Sequence, residues 1–443
     1  MERAIAIPEG LWSANLESLF PADGREGFLA GLARPCRGRN GLRYVVEEIV
    51  PLDERDFDHQ SAGGLGLSPE ASSFLNHLGR KAAKYGLAPV HIHSHPPGVS
   101  SFSAYDDQVE AEHHQWFRAE GQPVLISVVQ ARGHTPNSRI WVNGSPEPCL
   151  TRLGLQVFGL HRGLEPTPAL DRQKAFGPQL ALAASHLWVA IVGLGGVGLL
   201  TAELLARSGF SNFVLVDPDL VEASNLNRLP SLTARHLGLQ KVKVAKAAIR
   251  RACHSLGREA RVTAYPADIY QGPKQVKNAV GSCDLILALT DDHLSRITCL
   301  DLAFKHGAEY LQAGMLIGRD ENTKIDSLSM EVTGAEIGRY CPLCSGRLDP
   351  GQASVDARRY VGGEVWARAQ AEGYIPEEPA PAVMSLNAMV AGSLVMEIQS
   401  RMAGLGRIDL WQHDRLTGKL LFEKNLEGRL AGPGCEVCGR RGA

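Results

Sequence analysis

Two histidines and an aspartate in the first third of the chain have the types and spacing of metal ligands. His93 and His95 lie two residues apart in APVHIHSH, and Asp106 follows in the pattern H-S-H-P-x6-S-x-x-D, which includes Ser103. Side chains two residues apart on a strand point to the same face, so both imidazoles can reach one ion. Two histidines and one carboxylate leave a fourth tetrahedral position for water, as in catalytic zinc sites. The pattern therefore predicts a hydrolytic zinc site.

The same residues also have structural interpretations. Ser103-x-x-Asp106 is the sequence of a helix-capping box, and a histidine pair on a strand can serve packing alone. Each signal taken singly favours that interpretation, whereas their joint occurrence at the required spacing favours the metal. His91 shares the strand face but lies further back. The adjacent His113 and His114 diverge around the following helix, so we interpret them as surface or packing residues.

This run resembles the JAMM (MPN/JAB) metalloprotease family, which includes deubiquitinating isopeptidases, and the resemblance covers about the first third of the chain. It implies that His93, His95 and Asp106 bind zinc. It also implies that Ser103 helps to stabilise the oxyanion of the tetrahedral intermediate. A nearby glutamate would take a proton from water and deliver it to the leaving amine. Glu26, which precedes the apolar segment GFLAGLA, is our candidate for this general base.

The identity of the general base stays open. The family places one glycine three residues after the acid and another four residues further on, whereas here Gly27 and Gly31 would put the acid at Gly24. Glu26 is preferred because it lies at the start of a strand. The competing candidates are Asp23, Glu47 and Glu48. If none of them acts as the base, the site binds metal without cutting.

A glycine-rich turn after the strand WVAIVG indicates a nucleotide site. Gly193, Gly195 and Gly198 form the pattern G-x-G-x-x-G at the start of a helix, and Asp217 closes the next strand. Glycines in this pattern admit phosphates to a helix N-terminus, and the acid binds a ribose hydroxyl. Taken alone, the pattern is that of a dehydrogenase.

Polar segments further along the chain argue against a dehydrogenase. DPDLVEASNLNR over 217–228 is followed by GLQK over 238–241 and by TDDHLSR over 290–296. A redox enzyme has no need of arginine and lysine converging on phosphates beside a further acid. Cleavage of the α–β bond of ATP does need them, because cations neutralise the leaving pyrophosphate and an aspartate holds Mg²⁺.

These segments resemble the ThiF/MoeB and ubiquitin-activating superfamily, which adenylates the C-terminal carboxylate of ubiquitin-like proteins, from about residue 170 to the end of the chain. The resemblance implies that ATP and Mg²⁺ are bound by a glycine turn, by an aspartate that holds the ribose together with a second cofactor-binding aspartate, by phosphate-contacting residues and by a magnesium-binding aspartate. In that order the residues are Gly193, Gly195, Gly196 and Gly198; Asp217 and Asp219; Asn225, Arg228 and Lys241; and Asp291.

Asp171-Arg172-Gln173, ahead of the first strand of this domain, resembles the superfamily's entering helix, whose arginine reaches the active site of a partner subunit. We therefore expect Arg172 to act in trans and the chain to form a homodimer through this domain. A solvated charge is the alternative for Arg172 and for Arg296. Catalytic roles in adenylation are thus assigned to Arg172, Arg228, Lys241 and Asp291.

Four of the nine cysteines form two C-x-x-C pairs, which are Cys341 with Cys344 and Cys435 with Cys438. Together they can bind one structural zinc ion with four thiolates and no open position. The superfamily contains such a zinc, which would fasten the C-terminal tail to the adenylating domain. A redox pair is the alternative.

The remaining cysteines do not provide the thioester nucleophile that the superfamily places on a crossover segment. No cysteine lies between Cys344 and Cys435. We interpret Cys253, Cys283 and Cys299 as core residues. The enzyme is therefore expected to stop at the acyl-adenylate, or to pass the acyl group directly to the thiol or amine of a partner such as a conjugating enzyme.

Two domains must position these residues. Short apolar strands and helix-period segments, with one helix starting at Ser68-Pro69 and another near Ser103, predict an α+β domain over 1–147, which the resemblance identifies as a domain of JAMM/MPN type. A proline-rich stretch predicts a linker over 148–169. Continuous apolar strands alternating with helices predict an α/β domain with a mostly parallel sheet over 170–443, and the resemblance implies that it is a Rossmann-like ThiF domain.

The composition of the chain argues against nucleic acid and membranes as its partners. The chain has 443 residues, with 46 basic against 48 acidic residues and a net charge of -2, so it lacks the positive field that nucleic acid requires. No apolar stretch is long enough to cross a membrane, and the N-terminus does not have the pattern of a secretory signal. We expect a cytoplasmic protein.

The two halves have one substrate in common, the C-terminus of a ubiquitin-like protein that ends in glycine. The leading hypothesis is a fused enzyme of bacterial type, in which a zinc peptidase cuts after that glycine and the second domain adenylates the exposed carboxylate. One alternative is activation of a sulfur-carrier protein for thiocarboxylate formation in cofactor biosynthesis. Another is a catalytically inactive protein that only docks the modifier.

Overall fold

The structure is a computed structural model. It describes residues 2–159, 168–229, 232–320, 324–336, 339–361, 367, 382–423, 435 and 437–438. The chain divides into two compact units, Met1–Gly163 and Leu164–Ala443. Within the described ranges, no helix has both the length and the apolar character needed to cross a membrane.

The first unit is built on one nine-stranded sheet and a separate two-stranded hairpin. Its strands are β1 (Glu2–Ile7), β2 (Phe28–Arg37), β3 (Gly41–Pro51), β4 (Phe57–Ser61), β5 (Gly64–Leu67), β6 (Ala88–His95), β7 (Val124–Ala131), β8 (Asn137–Val142), β9 (Ser145–Pro148), β10 (Leu150–Leu153) and β11 (Gln156–Phe158). Its helices are α1 (Glu9–Ala14), α2 (Leu16–Leu19), α3 (Pro69–Tyr85) and α4 (Ala104–Ala119). The large sheet has the order β11-β10-β1-β3-β2-β6-β7-β8-β9, and β4 pairs with β5.

Helices cover both faces of this sheet, because side chains alternate between the faces along each strand. Leu29 of β2 belongs to the core that includes Trp12 of α1. Its neighbours Phe28 and Ala30 belong instead to the core that includes Leu75 of α3. The α+β character predicted for this part of the chain agrees with this layering.

Local capping signals set the starts of the two long helices. Ser68 is the N-cap of α3, its hydroxyl accepts a hydrogen bond from Ala71 N at 3.2 Å, and Pro69 occupies the first turn. Ser103 is the N-cap of α4. Side-chain oxygens at this position satisfy backbone N–H groups that have no partner within the helix. The sequence prediction of both helix starts is confirmed.

The predicted linker over 148–169 needs a correction. Strand β10 pairs in parallel with β1, and β11 pairs with β10, so residues up to Phe158 extend the large sheet. Short strands of this kind are fixed by pairing with the distant β1, which the local proline-rich pattern does not reveal. Residues 160–167 of the predicted linker lie outside the described residues. A 3-10 helix, Pro168–Phe176, follows them.

The second unit contains an eight-stranded sheet with helices in the connections. Its strands are β12 (Trp188–Val192), β13 (Asn212–Val216), β14 (Arg261–Tyr265), β15 (Leu285–Ala288), β16 (Glu309–Arg319), β17 (Ile325–Ala335), β18 (Leu410–Asp414) and β19 (Lys419–Glu423). Its helices are α5 (Pro178–His186), α6 (Gly196–Arg207), α7 (Lys241–Ser255), α8 (Lys274–Gly281), α9 (His293–His306), α10 (Pro350–Ala357) and α11 (Met384–Met402).

The order of this sheet is β14-β13-β12-β15-β16-β17-β18-β19. The first five strands are parallel, and the last three pair antiparallel. The prediction of an α/β domain with a mostly parallel sheet is confirmed. Strand β12 lies between β13 and β15, so the connections leave it towards opposite sides of the sheet. Open α/β sheets bind their ligands at the carboxyl ends of the strands beside such a point.

Candidate functional site

The first unit brings the three predicted metal ligands together. His93 and His95 lie at the end of β6, and Asp106 lies in the first turn of α4. The Nε2 atoms of the two histidines are 3.1 Å apart. Asp106 Oδ1 is 3.2 Å from Nε2 of His93, and Oδ2 is 3.3 Å from Nε2 of His95. Two ring nitrogens and a carboxylate converge on one point.

This donor set fits a zinc ion. All three side chains are largely shielded from water, and their ligand atoms lie within 4.8 Å of one another. Two imidazole nitrogens and a carboxylate are ligands that zinc accepts. Burial opposes ionisation of Asp106, but hydrogen bonds from His93 and His95 outweigh it and hold the pKa of this carboxyl well below its usual range. The aspartate is therefore anionic, as a ligand must be.

Ser103 combines the two interpretations that the sequence left open. Its hydroxyl accepts a hydrogen bond from Asp106 N at 3.1 Å and donates one to Asp106 Oδ2 at 2.7 Å. Its own backbone N–H donates to the same carboxylate oxygen at 2.6 Å. The capping box is therefore present, and it orients the carboxylate towards the histidines. Ser103 also lines the cavity at this site.

Glu26 is the one of the four candidate bases that the structure brings to this cavity. The cavity has a volume of about 600 Å³, and Glu26 lines it together with His93 and His95. Burial raises the pKa of Glu26, and the two histidines oppose that increase. The other three candidates are held elsewhere by basic residues: Asp23 by Arg25, Glu47 by Arg34 and Glu48 by Lys81.

The backbone around Glu26 is fixed by two neighbouring strands. Glu26 N donates to Ser61 O at 2.8 Å, and the Gln60 side chain donates to Glu26 O at 2.7 Å. The next residue, Gly27, donates its N–H to the hydroxyl of Ser94 at 2.8 Å. Ser94 lies between the two histidines, so the same strand positions the carboxyl group and the imidazoles.

Arg139 on β8 supports this site, and the sequence patterns did not identify it. Its Nε donates to Glu110 Oε2 at 2.8 Å, and it also pairs with Asp107. Its guanidinium lies 3.8 Å from the ring centroid of Phe102. These contacts tie β8 to the first turns of α4, where Asp106 lies. A single arginine in the apolar run RIWV was the available signal.

His113 and His114, interpreted from the sequence as surface or packing residues, are packed, and so is His91. The His91 ring contacts Phe28 and His113, with ring centroids 5.3 and 5.2 Å apart. Desolvation keeps the pKa of His91 well below its usual value. His114 is buried, and its Nε2 lies 3.0 Å from the carbonyl oxygen of Pro123. His91 and His113 nevertheless line the inner part of the cavity.

The second unit has a cavity of about 330 Å³ at the carboxyl ends of its central strands. The glycine turn after β12 forms one wall. Gly193 has a φ of +93°, which a residue with a side chain rarely adopts, and a Cβ on Gly198 would lie 2.9 Å from the carbonyl carbon of Gly193. A Cβ on Gly195 would meet nothing within 4 Å. The turn is tight, the helix packs closely, and the middle position is open, as phosphate binding requires.

A second wall combines acidic and basic residues. Asp217 accepts hydrogen bonds from Leu194 N at 2.6 Å and from Asp219 N at 2.9 Å, so it holds the glycine turn against the end of β13. Burial raises the pKa of Asp217, and Lys241 opposes that increase. Lys241 Nζ lies 2.7 Å from Asp219 Oδ2. These three polar residues line the cavity with Arg228.

The segment after β15 supplies further charged groups. Asp291 and Asp292 both line the cavity, and Asp292 also caps α9 by accepting a hydrogen bond from Ser295 N at 2.6 Å. Arg296 also lines the cavity, and its guanidinium donates to the carbonyl oxygens of Thr290 at 2.8 Å and Ala313 at 3.2 Å. The solvated charge considered for Arg296 is therefore wrong. Arg172 is exposed in the 3-10 helix, and its action in trans stays a prediction.

Two asparagines differ from the sequence interpretation. Asn225, predicted to contact phosphates, is buried and accepts a hydrogen bond from Glu222 N at 3.1 Å, so it caps the short turn before Arg228 and does not line the cavity. Short polar side chains often make such local bonds. Asn387 of α11 does line the cavity, and a Cβ on Gly196 would lie 2.5 Å from its Cγ. In the sequence, the only indication of a role for Asn387 was that it is a polar residue at the start of the largely apolar segment NAMVAGS.

The four cysteines of the two C-x-x-C pairs form one cluster. Sγ of Cys341 lies 3.6 Å from that of Cys344 and 3.8 Å from that of Cys435, and Cys344 and Cys438 are 3.6 Å apart. Hydrogen bonding with Cys438 lowers the pKa of Cys341. Four converging thiol groups fit a structural zinc ion. The remaining three cysteines of this unit, Cys253, Cys283 and Cys299, are buried in the core, as predicted.

The second unit is thus an α/β domain of Rossmann-like type, with parallel strands, a glycine turn and a charged cavity beside that turn. The ThiF family matches residues 170–437, so this chain belongs to the ThiF family.

The chain is similar to two curated proteins over short segments. The ubiquitin-like modifier-activating enzyme 5 of Drosophila erecta is 49% identical over 61 residues, which are 14% of this chain and 15% of that protein. The adenylyltransferase and sulfurtransferase UBA4 of Eremothecium gossypii is 36% identical over 120 residues, which are 27% and 26% of the two chains. The chain therefore matches at most about a quarter of the length of these two relatives. Among solved structures, E. coli MccB with ATP aligns at a TM-score of 0.47 with 16% identity, over 65% of this chain and 78% of that chain.

Proposed function

We propose that the second unit adenylates the C-terminal carboxylate of a ubiquitin-like protein with ATP and Mg²⁺. The observation that supports this most is the charged cavity of the ThiF domain. There an open glycine turn, Lys241, Arg228 and Asp291 lie together at the carboxyl ends of the central strands. In this reaction an oxygen of the substrate carboxylate bonds to the α-phosphorus, and the bond to the β-phosphate breaks to release pyrophosphate. The names of the two curated relatives point to substrates of this class.

The residues of the cavity would have separate roles in adenylation. The open position at Gly195 lets the phosphates approach the start of α6, whose N-terminus favours negative charge. Lys241 and Arg228 neutralise charge that moves onto the leaving pyrophosphate. Asp291 would hold Mg²⁺, which when bound would help to neutralise the negative charge of the phosphates. Arg172 would complete the site of a partner subunit, so the active form would be a homodimer.

The first unit is proposed to be a zinc peptidase that acts on the same C-terminus. The convergence of His93, His95 and Asp106 beside Glu26 supports this. Zinc, when bound, would polarise the scissile carbonyl and acidify water. Glu26 would take a proton from the attacking water and deliver it to the departing amine. Its raised pKa suits a group that must both accept and release a proton.

The four-cysteine cluster is proposed to be a closed structural zinc site. It would join residues 341–344 to the C-terminal segment that contains Cys435 and Cys438. Such sites contribute directly to folding, on the order of 10 kcal/mol in small domains. No catalytic step is assigned to it.

ATP–pyrophosphate exchange tests the adenylation. The purified protein is incubated with ATP, Mg²⁺, labelled pyrophosphate and a ubiquitin-like protein that ends in glycine. Exchange should require the free carboxylate, so the same modifier with a C-terminal carboxamide is the matched control. Asp291→Asn should abolish exchange in a protein that remains folded. Exchange with the carboxamide, or none with any modifier encoded near this gene, would overturn the proposal.

Activation of a sulfur carrier is the second candidate. The similarity to an adenylyltransferase and sulfurtransferase supports it, as does the absence of any cysteine between Cys344 and Cys435 in the sequence. Intact-mass measurement of the modifier separates the two candidates. A carrier in which sulfur replaces one carboxylate oxygen would support this candidate, whereas a product linked through lysine would support modifier conjugation.

A further inference from the structure

A cation outside the sequence motifs faces the nucleotide cavity. Arg359 lies in the 3-10 turn Arg358–Tyr360, which directly follows α10. It lines the cavity together with Gly195, Gly196 and Lys241. Guanidinium stays charged at all ordinary pH values and can donate two parallel hydrogen bonds to a phosphate group. The position and chemistry of Arg359 therefore suit an anionic ligand in this cavity.

The end of the turn is fastened to one side of the cavity. The hydroxyl of Tyr360 donates to Asp268 Oδ2 at 2.6 Å, and the Tyr360 ring packs against Tyr270 with centroids 5.4 Å apart. Asp268 itself is held, because its Oδ1 accepts hydrogen bonds from the backbone of Tyr270 at 2.6 Å and Gln271 at 2.9 Å. Asp268 follows β14 and lines the cavity.

The segment before the turn is fastened to the other side. Asp356 Oδ2 accepts hydrogen bonds from His293 N at 2.8 Å and Leu294 N at 3.4 Å, which are the first residues of α9. Asp349 N donates to Nδ1 of His293 at 3.1 Å. Helix α9 begins directly after Asp291 and Asp292, so these bonds hold α10 beside the proposed magnesium-binding residue.

The two anchors flank the strands that form the centre of the cavity. One lies at the end of β14 and the other beyond the end of β15, whereas the glycine turn and Asp217 follow the intervening strands β12 and β13. Because Asp356 is bonded on one side and Tyr360 on the other, the segment between them passes over the ends of the intervening strands. Arg359 is the cation that this crossing brings to the cavity.

We infer that Arg359 binds the phosphates of ATP and that Tyr360 is its positioning residue. The inference rests on the proposed adenylation and assigns it a phosphate ligand outside the segments that resemble the superfamily motifs. Both residues come from the segment that connects the first cysteine pair to α11. Nucleotide binding would thereby restrain the turn Arg358–Tyr360 as well as the carboxyl ends of the strands.

Binding measurements on the full chain test this inference. Dissociation constants for ATP and for adenosine are measured by calorimetry or by displacement of a fluorescent nucleotide. Arg359→Ala should raise the constant for ATP about tenfold and leave that for adenosine unchanged, because only ATP offers phosphates. Arg359→Lys should recover part of the loss. Tyr360→Phe should weaken ATP binding roughly threefold, since it removes only the bond to Asp268.

Arg358→Ala is the matched control, because Arg358 belongs to the same turn but does not line the described cavity. It should bind ATP as the unchanged protein does. Equal losses for ATP and adenosine in Arg359→Ala would indicate a purely structural role and overturn the inference. So would unchanged ATP binding in a folded Arg359→Ala protein. Failure of the unchanged protein to bind ATP would instead overturn the proposed adenylation, and this inference with it.

Discussion

Alanine substitutions in the glycine turn after β12 should separate ligand binding from folding, because its glycines meet different surroundings. A Cβ on Gly195 would enter open space. A Cβ on Gly198 would lie 2.9 Å from the carbonyl carbon of Gly193 and closer still to its oxygen. The first space is where a phosphate would approach, and the second is filled by the protein's own backbone.

The expected effects on stability differ accordingly. Gly195 has a φ of −69°, which alanine adopts readily. As the N-cap of α6, alanine is worse than glycine by roughly 0.5–1 kcal/mol, but the stiffer unfolded chain offsets about 0.4–1 kcal/mol. The net change is therefore close to zero. Overpacking at Gly198 should cost about 3 kcal/mol, because backbone atoms cannot rotate away. At roughly 2–4 °C per kcal/mol, its unfolding midpoint should fall by about 6–12 °C.

Two assays on the same preparations measure this separation. Differential scanning fluorimetry gives the unfolding midpoints, and isothermal titration calorimetry gives the affinity for ATP with Mg²⁺. Gly195→Ala should keep the midpoint and lose about tenfold or more in affinity, because its methyl group excludes the phosphate. A stable Gly195→Ala protein that binds ATP normally would refute phosphate binding at this turn. A Gly198→Ala protein of unchanged stability would refute the packing argument.

Three further experiments with substituted proteins test the other assignments. Glu26→Gln should abolish peptide cleavage and leave the metal content measured by mass spectrometry unchanged, with Glu48→Gln as an active control; a Glu26→Gln protein that still cuts would exclude this residue as the base. Cys435→Ser should remove one zinc ion per chain and lower the unfolding midpoint, and retention of both would count against the cluster. Arg172→Ala and Asp291→Asn proteins should each lack exchange activity, yet mixing them should restore part of it if Arg172 acts in trans; no recovery after verified subunit exchange would contradict that role.

Local signals predicted the parts of the fold that local chemistry determines. The serines that precede α3 and α4 marked the helix starts because capping depends on neighbouring residues alone. The alternation in APVHIHSH predicted β6, and with it the proximity of His93 and His95, because two residues on one strand face need no distant partner. The position of Asp106 beside these histidines was also predictable, because its helix begins beside the end of the same strand.

Contacts between distant parts of the chain were not predictable in this way. Strand β10 exists because it pairs with β1, so its proline-rich neighbourhood suggested a linker. Asn387 reaches the glycine turn from α11. Arg359 lines the cavity in a turn that is held by the bonds of Tyr360 to Asp268 and of Asp356 to the start of α9. Asn225 was assigned to phosphate by resemblance, whereas its side chain accepts a hydrogen bond from Glu222 N, a local contact that a linear motif does not show. Each of these positions depends on packing across the domain.

The order of the two proposed reactions provides the most direct test of the account. A ubiquitin-like protein with residues beyond its C-terminal glycine cannot be adenylated at that glycine until it is cut. ATP–pyrophosphate exchange is therefore measured with the extended and the mature modifier, for the unchanged protein and for Glu26→Gln. The account predicts exchange with both forms for the unchanged protein and with the mature form alone for Glu26→Gln. Exchange by Glu26→Gln with the extended form, or none by the unchanged protein with the mature form, would contradict it.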